Sequence, residues 1–140
     1  MNRIAILDIC NAEMGTTEIS GTEHNDRILE YHQATSLRAS TDETPWCAAF
    51  VNWVLIQAGY HGTRSAAARS FLNWGIAPDQ ASIGCIVVFR RGTKAWQGHV
   101  GFYVGQDRNG NVLCLGGNQS NQVCVAAYPM KDVLGYRVIE

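Results

Sequence analysis

An α+β fold is predicted by three features of the chain. Apolar residues at helical spacing dominate its first half, short strand-like segments fill its second half, and an Asp107-Arg108-Asn109-Gly110 turn links two of those segments as an antiparallel hairpin. Helices come first and strands second, which favours an antiparallel sheet over alternating βαβ units. A length of 140 residues fits one domain, 1–140, and nothing marks a linker or a second module.

Ile4, Leu7 and Met14 recur at helical spacing over residues 3–14, and Gly15 follows as a stop. After a turn-rich stretch to Asn25, residues 26–34 carry Ile28, Leu29 and Tyr31 in a short helical pattern, and 35–43 read as a polar loop. Both helices are expected to frame a site rather than to form the main core. The next helix is the best defined: Thr44 is its expected N-cap, Pro45 suits the first helical position, and Gly59 stops it after Trp46 to Ala58. Its Ala48, Ala49, Phe50, Val51, Trp53, Val54 and Leu55 leave it apolar on nearly every side, so it should be the central helix of the core. A further short helix is predicted over 65–74, between Ser65 and Gly75. Strands are then predicted at 86–89, 99–104, 112–115, 123–126 and 135–139, giving an antiparallel sheet of about five strands.

Composition narrows the function. Apolar residues make up 46% of the chain and charged ones 16%, too apolar for disorder. Eleven basic and twelve acidic residues leave a formal charge of −1, so no global field recruits nucleic acid or an anionic membrane, and neither is expected as a partner. Binding must come from a shaped site. Asp8 interrupts the apolar start, and no stretch is long enough to span a bilayer, so synthesis in the cytoplasm without a cleavable leader is expected.

Five cysteines, at 10, 47, 85, 114 and 124, form no C-x-x-C pair, so structural zinc is not expected, and an odd count leaves at least one thiol free. Cys10, Cys85, Cys114 and Cys124 stand among apolar neighbours and read as buried structural thiols. Cys47 differs. With Thr44 as N-cap it is the third helical residue, where unpaired N–H groups and the helix dipole favour a thiolate, and the same groups suit an oxyanion.

A thiolate that attacks an amide also needs an acid to protonate the leaving nitrogen. His24, His32 and His61 lie in polar segments and are expected to be solvated. His99 sits on a core strand near Gly98 and Gly101, with His99, Gly101 and Tyr103 on one face and Val100, Phe102 and Val104 on the other. A third polar group normally fixes the imidazole, and Asn118 or Gln119, after Gly116-Gly117, comes close to the neighbouring strand. Trp46 and Trp96 flank the two reactive positions.

Pro45-Trp46-Cys47-Ala48-Ala49-Phe50-Val51, Gly84-Cys85-Ile86-Val87-Val88-Phe89, Gly98-His99-Val100-Gly101-Phe102-Tyr103 and Leu115-Gly116-Gly117-Asn118-Gln119 resemble the blocks of CHAP and NlpC-type peptidoglycan hydrolases, most closely their compact phage and prophage members. The likeness extends to Glu18-Ile19-Ser20-Gly21 and to Gly135-Tyr136-Arg137. It implies a papain-like core in which Cys47 is the nucleophile, His99 its base and Asn118 the orienting residue. By position Trp46, Trp96 and Gln119 are expected on the substrate side, with core packing the alternative for Trp46. Gln119 stays open as the alternative to Asn118. Many CHAP members carry a carboxylate where this chain has Gly116.

The implied activity is cleavage of a wall-peptide amide, either N-acetylmuramoyl-L-alanine amidase or endopeptidase, with no cofactor. No metal is expected, because Asp42 and Glu43 alone do not make the acidic calcium loop of some relatives. The implied partner is peptidoglycan, met at the cell wall or periplasm by a monomer acting as an endolysin or a secreted effector, the latter with an immunity protein. Arg90, Arg91 and Lys94 read as a solvated hairpin patch able to meet wall-peptide carboxylates. A non-catalytic wall-binding or phage structural module and an acyltransferase are the competing readings.

Overall fold

The computed structural model describes residues 1–20 and 23–139; Gly21, within the first of the outlying likenesses, lies outside the described residues. Three helices, α1 (Arg3–Ala12), α2 (Asp26–His32) and α3 (Cys47–Gln57), precede five strands: β1 (Ile86–Arg90), β2 (Gly98–Gln106), β3 (Val112–Gln119), β4 (Gln122–Tyr128) and β5 (Val133–Arg137). The strands form one antiparallel sheet in the order β4-β3-β2-β1-β5. The architecture is the α+β one expected.

Every residue of α3 from Cys47 to Leu55 is buried, as its all-round apolarity requires. Its one polar member, Asn52, is satisfied: Nδ2 donates to the Ala48 and Ser65 carbonyls and Oδ1 accepts the Arg64 N–H. The start of α3 differs from expectation. Thr44 does not cap it, because the Thr44 N–H closes a turn onto the Thr41 carbonyl, and Trp46 stands at the N-cap without a side-chain bond. Cys47 is therefore the first helical residue, not the third.

The first two helices also belong to the core rather than framing it, since Ile6, Cys10, Ile28 and Tyr31 are fully buried in the same cluster as α3. In α1 the buried stripe runs through Ile6 and Cys10, while Ile4 is 76% exposed. Tyr31 packs on Trp46, Phe50 and Trp53, and its hydroxyl donates to Glu13. His32, expected in solvent, is fully buried. The segment 65–74 forms only a 3-10 turn, Ala68–Asn73.

Two hairpins build the sheet beside the helices. Asp107 Oδ1 accepts the N–H groups of Asn109 and Asn111 at 2.9 Å each, which closes the β2–β3 turn. Ser120 and Asn121 both have positive φ, 50° and 63°, between paired Gln119 and Gln122, the geometry of a two-residue hairpin turn that follows strand twist. One sheet face presents Ile86, Val88, Val100, Phe102 and Leu115 to the helices. The other holds Val87, Phe89, Val112 and Cys114 under Tyr103, Tyr128, Val133 and Tyr136. β1 is thus covered on both sides, which explains its uninterrupted Ile-Val-Val-Phe run.

Candidate active site

Cys47 opens α3, 6% exposed, at the wall of a cleft of about 380 Å³ that Trp96, Gln97, Gly98 and Arg91 also line. Trp96, expected on the substrate side, is 72% exposed and lines this cleft. Trp46 does not. Its ring is fully buried against Tyr31, with Nε1 donating to Glu18 Oε2 at 2.8 Å, so it packs the helix start instead of lining a groove.

The register of β2 explains where the sulfur sits. Tyr103 bonds toward the β1 side, through Cys85 O at 2.8 Å, so alternation turns the Val100 N–H toward β3. Pairing with β3 begins only at Phe102, and Val100 meets no β3 residue. The Cys47 sulfur lies near the Val100 N–H, which favours its thiolate. Gly117 has room for nothing larger: a Cβ there would lie 2.5 Å from the Trp46 ring and 2.9 Å from Phe50 Cβ.

His99, the residue before Val100, projects from the face opposite α3, where its ring stacks on Tyr128 at 5.1 Å and on Phe89 at 6.2 Å. It is 1% exposed and lines a second cleft of about 480 Å³, with Arg91, Tyr128 and Lys131. The ring bond is Nε2 to Gln119 Oε1 at 2.9 Å. Gln119 Nε2 donates to the carbonyls of Cys124 at 2.6 Å and Cys114 at 3.2 Å, which only an amide NH₂ can do, and this fixes its oxygen toward the imidazole. His99 Nε2 must then carry the proton, and Nδ1 presents a lone pair. Nδ1 makes no hydrogen bond to Cys47 or to any other described residue.

Asn118 does not reach His99. Pairing with β4 shifts between Gly116 and Gln119, and Asn118 takes φ 60° within that irregularity, so the residue after it points at the imidazole. Gln119 is 3% exposed and lies behind the ring, not on a substrate-facing wall. Tyr128, which sequence reasoning missed because β4 was expected to end at Ala126, donates its hydroxyl to the same Gln119 oxygen at 3.0 Å.

Burial dominates the electrostatics. It pushes the Cys47 thiol above its ordinary value, against the Val100 N–H, the Arg91 charge and the Ala48 N–H, which favour the thiolate. The expectation that the helix start makes this thiol acidic therefore fails, because desolvation outweighs the helix. Burial also lowers His99 to about 4, opposed by the Gln119 bond and assisted by the Arg91 charge. The resting pair is a neutral thiol and a neutral imidazole.

Asp42, in the loop before Cys47, is a structural acceptor. Its Oδ2 takes the Ile19 and Asn25 N–H groups at 2.8 Å each, and its Oδ1 lies 3.2 Å from His24 Nδ1. Burial works to raise its pKa, but these donors outweigh it and hold the carboxyl low. Cys10, Cys85 and Cys114 are buried free thiols, as expected, and Cys124 is free but partly exposed.

No curated protein matches the chain. Among solved structures, a lipoprotein-like protein of the NLP/P60 family from Staphylococcus aureus shares the fold, with a TM-score of 0.60 at 19% identity over 99% of this chain. This chain spans 41% of the length of that one. Residues 39–118, which run from the loop before Cys47 through His99 to the end of β3, match the CHAP domain, a family of cysteine-dependent amidases and peptidases that typically act on peptidoglycan. The chain belongs to the CHAP domain family.

Proposed function

We propose that the protein hydrolyses an amide of the wall peptide, with Cys47 as nucleophile, His99 Nδ1 as base and then acid, and Gln119 as the orienting residue. The observation that supports this reading is the fixed tautomer: Gln119, held by two carbonyls, leaves His99 Nδ1 bare and without a partner among the described residues, as a base requires.

In the proposed sequence the thiol passes its proton to His99 Nδ1 as the sulfur adds to the carbonyl carbon. The first N–H groups of α3 lack helical acceptors and receive the developing oxyanion. His99 Nδ1–H then protonates the leaving nitrogen, the C–N bond breaks and a thioester remains. Water, deprotonated by Nδ1, attacks the thioester, and the carboxylic product and the thiol are released. Because both partners rest neutral, the proton moves with bond formation rather than before it. Arg91 favours this transfer at the sulfur by stabilising negative charge there.

The substrate is the amide between N-acetylmuramic acid and L-alanine or a bond within the peptide. Incubation of purified sacculi with the protein, followed by mass analysis of released fragments, distinguishes the two. Cys47→Ala should release nothing. Wild-type-level release by that variant would exclude the thiol mechanism, and sacculus binding without release by the wild type would favour a non-catalytic wall-binding module.

A further inference from the structure

Arg91 follows β1 directly and is the residue that the two clefts share. It lines the one that reaches Cys47 and the one that reaches His99. Its neighbour Arg90 is engaged, with Nε 2.9 Å from Asp132 Oδ1. Arg91 has no ion pair and no side-chain hydrogen bond with any described residue, and the same holds for Lys131 on the His99 side. Asp132 is the single carboxylate lining either cleft, and it is the one Arg90 holds. This cationic concentration is local, since the chain as a whole carries −1.

An unpaired guanidinium on a surface is ordinarily just solvated. Arg91 differs by placement. Arg91 and Cys47 line the same cleft, so a group bound there can meet the guanidinium as well as the thiol, and a planar fork of donors matches a carboxylate in bidentate fashion. Lys131 supplies a second positive charge in the adjoining His99 cleft, which Arg91 also lines. Trp96 and Ala66 to Ala68 also line the Cys47 cleft, with no acid to compete.

We propose that Arg91, seconded by Lys131, anchors a free carboxylate of the substrate beside the scissile bond, so that the enzyme selects wall-peptide amides flanked by an acidic residue and discriminates against the same peptide with that carboxylate amidated. The inference rests on the hydrolase reading above and adds the class of bond that is cut.

The test uses two synthetic wall peptides that contain the cleaved bond and differ only in a flanking carboxylate against carboxamide. The wild type should prefer the carboxylate form by roughly tenfold to a hundredfold in kcat/KM, mainly through KM, as for a hydrogen bond to a charged group. In Arg91→Gln the ratio should fall to about one, and Arg91→Lys should restore part of it. The preference should shrink as salt is raised. The same ratio, measured as binding to Cys47→Ala, reads the anchor without turnover. A wild-type ratio near one, or a ratio that survives Arg91→Gln, overturns the anchor while leaving the hydrolase reading intact. Turnover by Cys47→Ala, in contrast, overturns the hydrolase reading.

Discussion

Replacing Gln119 by leucine tests how the imidazole is held. The residue is 3% exposed, and its side chain makes four hydrogen bonds to nitrogen and oxygen partners: to His99, to the Tyr128 hydroxyl, and to the carbonyls of Cys114 and Cys124. Leucine keeps the volume and removes all of them. At about 1 kcal/mol net for each bond, the loss is roughly 4 kcal/mol, with the two stranded carbonyls pushing it upward. Against a total of about 5–15 kcal/mol the variant stays folded, with Tm lower by roughly 10 °C. Its kcat/KM on sacculi or muropeptides, measured well below that Tm, should fall by about a hundredfold, the order expected for a catalytic group left about 1 Å out of place. Urea unfolding and turnover together make the assay. A folded Gln119→Leu within twofold of wild-type kcat/KM would refute the reasoning that this amide fixes the working tautomer.

Further outcomes follow from the same neighbourhood. Tyr128→Phe keeps the ring stack on His99 and removes one donor to Gln119, so it should cost about 1 kcal/mol in urea unfolding and lower kcat/KM far less than Gln119→Leu; an equal loss would mean the hydroxyl matters for more than Gln119. Gly117→Ala drives a Cβ into the Trp46 ring and Phe50, and should destabilise by about 1–3 kcal/mol and displace the start of α3, read as a lower Tm with lost activity. His99 is held neutral, with its pKa lowered from 6.5 to about 4, so the unfolded chain takes up a proton first as pH falls. Stability should then decline between those two values by on the order of 3 kcal/mol from this residue, and His99→Gln should remove that part of the slope. An unfolding midpoint that stays flat between pH 7 and pH 5 would contradict the burial argument.

Much of this was legible in the chain because the strands announce themselves by period two and by their turn residues. The Val100/Phe102 alternation placed His99 on the face away from α3, and Asp107 to Gly110 gave the β2–β3 hairpin. The errors share a cause: each turned on a contact made by distant residues. Thr44 has the chemistry of an N-cap, yet its N–H closes a turn to Thr41 and Trp46 takes the position, locked by Glu18 and Tyr31. Asn118 and Gln119 differ by one place in a strand, and a shift in pairing at Gly116 sends one outward and the other to His99. Local polarity suggests solvent for His32, whereas the fold buries it completely beside the Thr41–Thr44 loop. A helix start alone favours a Cys47 thiolate, but burial pushes this thiol up, and desolvation is not legible in the local sequence.

The meeting of the Cys47 sulfur with His99 is tested most directly by iodoacetamide alkylation at neutral pH, followed peptide by peptide, in the wild type and in His99→Gln. Cys47 should be modified, and its rate should fall by at least about tenfold in the variant while that of the partly exposed Cys124 stays constant. A Cys47 rate that does not depend on residue 99 would contradict the account.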